Sequence, residues 1–247
     1  MLISIIIPWF NRTECIDTLY QNLKVFKNNS KTEIIIINDG SKKETIDKLL
    51  IKFSGLAKII SIPNSGGSYA RNIGVCNSQG DFLLFLDNDD KINSLNKLID
   101  NLSNVDSYDA IHTQLIDENN NMIYTPPDVI NEFTLINSKL WPSTQSWIWK
   151  REFLQSIGGW NNLLICKQDY ELVQRALINK CRVLSVNFSP SIFTIESDID
   201  RVSEKAKKPI SLKSHYIVFR TFLLFRNSII PLALKHFFRQ IIKIKWL

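Results

Sequence analysis

A chain of 247 residues that is 45% hydrophobic can bury a large core, and its length suits one elaborate domain or two fused halves. The net charge of +6 is unevenly spread: Glu204 is the last acidic residue, ten Lys and Arg follow it, and the body before them holds 20 basic against 24 acidic residues. A slightly acidic body excludes a nucleic-acid footprint and confines the positive charge to the C-terminal stretch. Met1 to Pro8 is apolar but lacks a basic lead and a cleavage site, so it reads as a first strand rather than a signal peptide. Thr13 is placed to cap a helix carrying Ile16, Leu19, Tyr20, Leu23 and Phe26 on one face. Glu33 to Ile37 is a second apolar run, stopped by Asn38-Asp39-Gly40-Ser41. A helix with Ile46, Leu49, Leu50 and Phe53 inward follows, then a short strand, Lys58 to Ile62. Asn64 to Ser68 is a loop leading into a helix near Tyr69 to Cys76, before a strand at Asp81 to Leu86. This alternation predicts an α/β fold with a mostly parallel sheet and helices on both faces.

Beyond Asp90 the pattern loosens. Leu95, Leu98, Ile99 and Leu102 suggest a helix, Tyr108 to Ile116 and Met122 to Tyr124 strands, and residues 128–146 give no clear period. Trp147 to Trp149 reads as a strand, Arg151 to Ile157 and Asp169 to Asn179 as helices, and Cys181 to Asn187 as a last strand. Cys15, Cys76, Cys166 and Cys181 lack metal-ligand spacing and read as reduced thiols, as in the cytosol.

The most informative stretch is Asp81 to Asp90. Five apolar residues, Phe82 to Leu86, end abruptly in Asp87-Asn88-Asp89-Asp90. Carboxylates this close repel one another and cannot be buried unpaired. Asp87-x-Asp89 suits a hard divalent cation, Mg²⁺ or Mn²⁺, that shares substrate phosphate oxygens. It equally suits a solvated turn capping a helix at Asn93 or Ser94. Open parallel sheets bind ligands at the C-terminal ends of their strands. Three such ends, Pro8 to Asn11, Asp39 to Ser41 and Asp87 to Asp90, therefore fall on one edge. Asp39 can accept a hydrogen bond from a base or cap its own turn. Phe10 can pack on a base or in the core, and Arg71 can pair with a phosphate or with a surface acid. Neither G-x-G-x-x-G nor a Walker motif is present, which disfavours dinucleotide dehydrogenases and P-loop enzymes.

Five segments in order resemble the family 2 glycosyltransferases: Ile5-Ile6-Ile7-Pro8-Trp9-Phe10-Asn11, Ile36-Ile37-Asn38-Asp39-Gly40-Ser41, Asn64-x-Gly66-x-x-x-Ala70-Arg71-Asn72, Leu86-Asp87-Asn88-Asp89-Asp90, and Ile157-Gly158-Gly159-Trp160 followed by Gln168-Asp169-Tyr170-Glu171-Leu172. The resemblance runs from residue 2 to about 190 and implies the GT-A fold and inversion at the transferred sugar carbon. It implies that Pro8, Phe10, Asn11, Asp39, Gly66, Arg71, Asp87 and Asn88 hold the nucleotide sugar, with a UDP-sugar the expected donor. Asp89, with Asp87, would ligate the metal, Trp160 and Gln168 would meet the acceptor, and Asp169 would be the base. Its position near a helix N-terminus is expected to keep Asp169 ionised at neutral pH. Two features depart from the family pattern. Gln168 stands where a Glu is usual, and none of His112, His215 and His236 matches the family's late metal-side histidine. The Gln-x-x-Arg-Trp signature of processive synthases is absent, so transfer of a single sugar is expected. A nucleotide-sugar-binding module without catalysis is the other reading.

The expected organisation is a transferase domain over 1–205, divided into a donor half (1–105) and an acceptor half (106–205), and a basic amphipathic tail over 206–247. After Pro231, Leu234, Phe237, Phe238 and Ile241 share a helical face beside Lys235, Arg239 and Lys243, with Trp246 near the end. Such a helix suits the anionic inner face of a plasma membrane, or a face of the domain or of a second subunit. The expected partners are thus a nucleotide sugar, a carbohydrate or lipid-linked glycan acceptor, a membrane surface and a homo-oligomeric copy, in the building of a cell-surface polysaccharide.

Overall fold

Four of the seven residues of Ile3–Trp9 (β1) are isoleucine, a β-branched residue that packs well on a pleated surface. It lies between Thr32–Asp39 (β2) and Phe82–Phe85 (β4) and runs parallel to both, with Ile5 opposite Ile34 on one side and Leu84 on the other. The computed structural model describes residues 1–92, 105–117, 121–137, 140, 142–193, 211–223, 234 and 237. The remaining strands are Lys58–Ile62 (β3), Lys91–Ile92 (β5), Ala110–Thr113 (β6), Leu115–Asp117 (β7), Met122–Tyr124 (β8), Trp147–Lys150 (β9), Val183–Val186 (β10) and Ser191–Phe193 (β11). Among the described residues, seven strands form the main sheet in the order β10-β6-β9-β4-β1-β2-β3, in which only β9 runs antiparallel to its neighbours. This is the mostly parallel α/β architecture expected of the GT-A fold.

The strand period of two distributes β1 between two cores. Ile3, Ile5, Ile7 and Trp9 pack with Leu19, Leu23, Leu49 and Phe53 from the helices Ile16–Leu23 and Lys43–Lys52. Ile6 faces the other way, with Phe85, Trp147, Trp149, Leu172 and Val173. The helix Gly67–Asn77 crosses that second side so closely that a Cβ at Gly74 would collide with the Ile6 side chain. The fit requires glycine there.

The expected Tyr108–Ile116 strand is broken at Gln114, whose N–H bonds the Phe188 carbonyl at 3.1 Å. Upstream β6 joins the main sheet, while β7 turns into a second sheet of order β5-β11-β7-β8 that residue periodicity does not announce. Thr13 opens a 3-10 turn (Thr13–Cys15) without capping it and instead shares a 2.6 Å hydrogen bond with the Thr45 hydroxyl. Leu50, expected inward, is 51% exposed, and Thr45 takes a buried place on that helix. Within 128–146 the structure has a helix, Glu132–Ile136, closed by an Asn131/Thr134 capping box, and a 3-10 turn, Thr144–Ser146. The expected 95–102 helix lies outside the described residues. None of the four cysteines is in a disulfide.

The expected tail opens with a helix, Leu212–Phe222. It packs on Gln168–Ile178, where Gln174 Nε2 donates to the Val218 carbonyl at 3.2 Å, and its Ser214 Oγ accepts from the Ile165 N–H at 3.2 Å. Ser214, His215, Val218 and Thr221 are buried; Lys213, Tyr216, Arg220 and Leu223 face outward. Phe237, expected on the tail's lipid face, packs against Phe219 with ring centroids 4.7 Å apart. The rest of the tail beyond Leu223, apart from Leu234, lies outside the described residues. Among the described residues no helix is long and apolar enough to cross a membrane.

Candidate active site

β4 delivers the acidic stretch to the edge where β1 and β2 also end. The chain turns back on itself there: the Asp90 N–H bonds the Asp87 carbonyl at 3.2 Å, and the Asp90 carboxylate accepts the Asp87 N–H at 3.0 Å. Asp90 is 2% exposed. Burial, then the nearby Asp87 and Asp89 carboxylates, push its pKa well above the usual carboxylate range. Asp87, Asn88 and Asp89 are only partly buried above it.

Arg71 answers this charge from the Gly67–Asn77 helix. Its Nη2 lies 2.7 Å from Asp87 Oδ1, and its Nη1 donates to Gln168 Oε1 at 3.4 Å. The guanidinium sits 4.7 Å over the Trp160 ring, and the side chain is 7% exposed. Trp160 in turn meets Phe85 edge-on at 5.4 Å. The turn carrying Trp160 is pinned by Asn72, whose amide donates to the Trp160 carbonyl and accepts its N–H, each at 2.8 Å. Gly159 beside it has φ +64°, and a Cβ there would strike Asn72 Oδ1. Trp160, expected at the acceptor, is 2% exposed and supports the Arg71 guanidinium with its ring face.

Asp39 is also committed to structure. Its two carboxylate oxygens accept the N–H groups of Ser65 and Gly66, at 2.6 and 2.9 Å, fixing the loop that starts the Gly67–Asn77 helix. Asn11, at φ +52°, ties the neighbouring strand end: its N–H donates to Ser41 Oγ at 3.0 Å and its side chain accepts the Lys42 N–H at 2.8 Å. Pro8 lies within β1, and Phe10 just beyond it is 48% exposed at the same edge, free to cover a flat ligand.

Asp169 is the second residue of Gln168–Ile178, just after Lys167 turns the chain through φ +60°. Its Oδ1 accepts a hydrogen bond from the Thr144 hydroxyl. Burial raises its pKa to about 6; Arg71 and the Thr144 bond pull it down, and Asp87 pushes it up. Desolvation thus outweighs the expected help of the helix N-terminus, yet at neutral pH the carboxylate remains ionised by roughly ten to one. Gln168 uses both ends of its amide: Nε2 donates to the Leu164 carbonyl at 2.9 Å while Oε1 faces Arg71. A glutamate would set an oxygen against that carbonyl, so the site is built for the amide.

Asp87, Arg71, Gln168 and Asp169 are therefore brought together, with Asp39, Gly66 and Asn11 bracing the adjacent loops. Thr144 and Gln145 also touch the site's acids, although they come from the segment without sequence periodicity. Ser143 to Ser146 is a polar run that burial makes meaningful only in three dimensions. Among the described residues no three His, Cys, Asp or Glu side chains are grouped to hold a metal. His215 is buried, its Nδ1 lies 3.0 Å from the Ser211 carbonyl, and burial lowers its pKa.

The model of glycosyl transferase family 2 matches residues 4–176, and the chain belongs to that family. An uncharacterized glycosyltransferase of Rickettsia conorii is 29% identical over 225 residues, covering 85% of this chain but 36% of that protein. The chain thus spans about a third of that relative. Among solved structures, S. aureus TarS (residues 1–349) in complex with UDP-GlcNAc superposes with a TM-score of 0.75 at 19% identity, covering 97% of this chain and 72% of the other. The Pyrobaculum calidifontis mannosyltransferase PcManGT, in complex with GDP-Man and Mn²⁺, gives 0.64 at 14% identity, with coverage of 97% and 74%. At these identities the superpositions establish a common fold.

Proposed function

We propose that this chain is an inverting glycosyltransferase that moves one sugar from a nucleotide-diphosphate sugar, with UDP as the expected nucleotide, to a hydroxyl of a carbohydrate or lipid-linked glycan in cell-surface polysaccharide assembly. The observation that carries the reading is the Asp87–Arg71–Gln168 chain of contacts, which brings the acidic strand end beside the base-bearing helix start. Asp169 accepts the acceptor hydroxyl proton as that oxygen bonds to the anomeric carbon. The bond from that carbon to the diphosphate breaks on the opposite face, and its electron pair leaves with the nucleoside diphosphate. Arg71 holds Asp87 and contributes fixed positive charge near the leaving group. The exposed Phe10 covers the base at the edge braced by Asp39 and Asn11.

The acidic strand end fits a divalent cation. Asp87 and Asp89 are accessible oxygen donors, and crowded carboxylates around a buried Asp90 favour added positive charge. Mn²⁺ or Mg²⁺ held by Asp89 and Asp87 would supply charge neutralisation for the diphosphate.

Asp169→Asn tests the reading. Turnover of donor and acceptor is expected to fall by roughly 10²–10⁴-fold, the usual cost of losing a general base, while calorimetric binding of UDP with Mn²⁺ persists. Normal turnover by the variant contradicts the base assignment. Binding without turnover in the native protein, across nucleotide sugars and acceptors, makes the chain a non-catalytic binding module.

We further place the protein on the cytoplasmic face of an anionic membrane. This is supported by the outward stripe of Lys213, Tyr216, Arg220 and Leu223 and by the wholly basic charge after Glu204.

A further inference from the structure

The 3-10 turn Thr144–Ser146 is polar throughout, and all three residues are buried. Buried polar side chains are costly unless their bonds are made, so a run of them is informative when each bond has a destination. Thr144 Oγ1 donates to Asp169 Oδ1. On the next residue, Gln145 Nε2 points to Asp90 Oδ1 at 3.4 Å. Ser143 Oγ donates to Gln145 Oε1 at 2.6 Å, which fixes the amide with its NH₂ toward Asp90. The turn is itself anchored in both sheets: Thr113 Oγ1 of β6 donates to the Ser146 carbonyl at 3.2 Å, and Ser191 Oγ of β11 to the Gln145 carbonyl at 3.2 Å. Two acids from different elements, one closing the β4 turn and one starting the Gln168–Ile178 helix, therefore grip consecutive residues of one rigid turn.

We propose that Thr144 and Gln145 are positioning residues for the transfer reaction: Thr144 orients the Asp169 carboxylate, Gln145 holds the acidic strand end through Asp90, and the turn sets the spacing between them. The inference rests on Asp169 being the base. Thr144 engages Oδ1 of the carboxylate. Besides Thr144, the charged groups that act on Asp169 are Arg71 from the Gly67–Asn77 helix, which favours the anion, and Asp87 from the β4 end, which disfavours it. The amides at its own helix start also favour the anion. Removing the hydroxyl leaves burial opposed by less.

The test reads both arms without relying on turnover. Carboxylate ¹³C NMR follows the Asp169 titration, assigned with Asp169→Asn, and calorimetry follows UDP binding in Mn²⁺. Thr144→Val, or Thr144→Ala should the valine variant fail to fold by thermal melting, is expected to move the Asp169 midpoint upward and leave UDP affinity unchanged. Thr144→Ser should restore the native midpoint. Gln145→Leu is expected to leave the midpoint in place and weaken UDP binding on the order of tenfold, the upper scale of a single lost hydrogen bond. An unmoved midpoint in the folded threonine variants, no restoration by serine, or native UDP affinity in Gln145→Leu overturns the proposal. Should Asp169→Asn retain turnover, the base assignment fails instead, whatever the midpoints show.

Discussion

Asp169 carries a stability cost that follows from its place in the fold. Its carboxyl is held at about 6 against an ordinary 3.8, so the folded state binds the proton more tightly than the unfolded chain does. The contribution favours folding at acid pH, is lost as pH rises from about 3.8 to 6, and stays lost above that range. Asparagine keeps an acceptor for Thr144 and removes the charge. Asp169→Asn should therefore be more stable than the native protein at pH 8, by up to about 3 kcal/mol, with the gain vanishing near pH 4. Denaturant melts at the two pH values check this; equal stability at pH 8 counts against a desolvated anion. Asp169 stands out in the sequence because the Gly158-Gly159-Trp160 turn and the residues after it form a recognisable order. Its protonation is not legible, since burial and the Thr144 hydroxyl come from parts of the chain far away in sequence. Trp160 shows the same limit. The aromatic after two glycines stands out in the sequence, whereas its contacts with Asn72 and Arg71 appear only in three dimensions.

The strands β1, β2 and β4 are legible because strands buried on both faces read as unbroken apolar runs, and each stops at polar residues that mark the site edge. The break at Gln114 is not legible, because local alternation is the same whether a strand continues in one sheet or passes to another. The short Glu132–Ile136 helix and the Thr144–Ser146 turn are too brief to show a period. The helix Leu212–Phe222 is a mixed case: its apolar and basic character is plain, but the same residues suit a membrane, a partner or the domain itself. Its buried face is taken by Gln168–Ile178, so only the outward stripe remains for a lipid surface. Each basic residue near an anionic leaflet contributes about 1 kcal/mol. Lys213→Glu combined with Arg220→Glu should therefore reduce flotation with phosphatidylserine vesicles at least about tenfold, while melting stays native-like. Undiminished flotation removes these two side chains from the membrane contact.

Across the whole molecule, the main sheet brings its strand ends and the start of the Gln168–Ile178 helix to one place, with Arg71 bonded to Asp87 and to Gln168, 97 positions further along the chain. The family resemblance anticipates this gathering, and the second sheet braces it by anchoring the turn that holds Asp169 and Asp90. The central claim is that a metal-bound diphosphate lies at the acidic end of β4 with Asp169 opposite it. A crystal structure of the protein soaked with UDP and Mn²⁺ tests this most directly. The account predicts the diphosphate beside Asp87 and Asp89, with the Asp169 carboxylate facing it across the span of a single hexose. A diphosphate bound away from that strand end, or an Asp169 directed into a separate region, would contradict it.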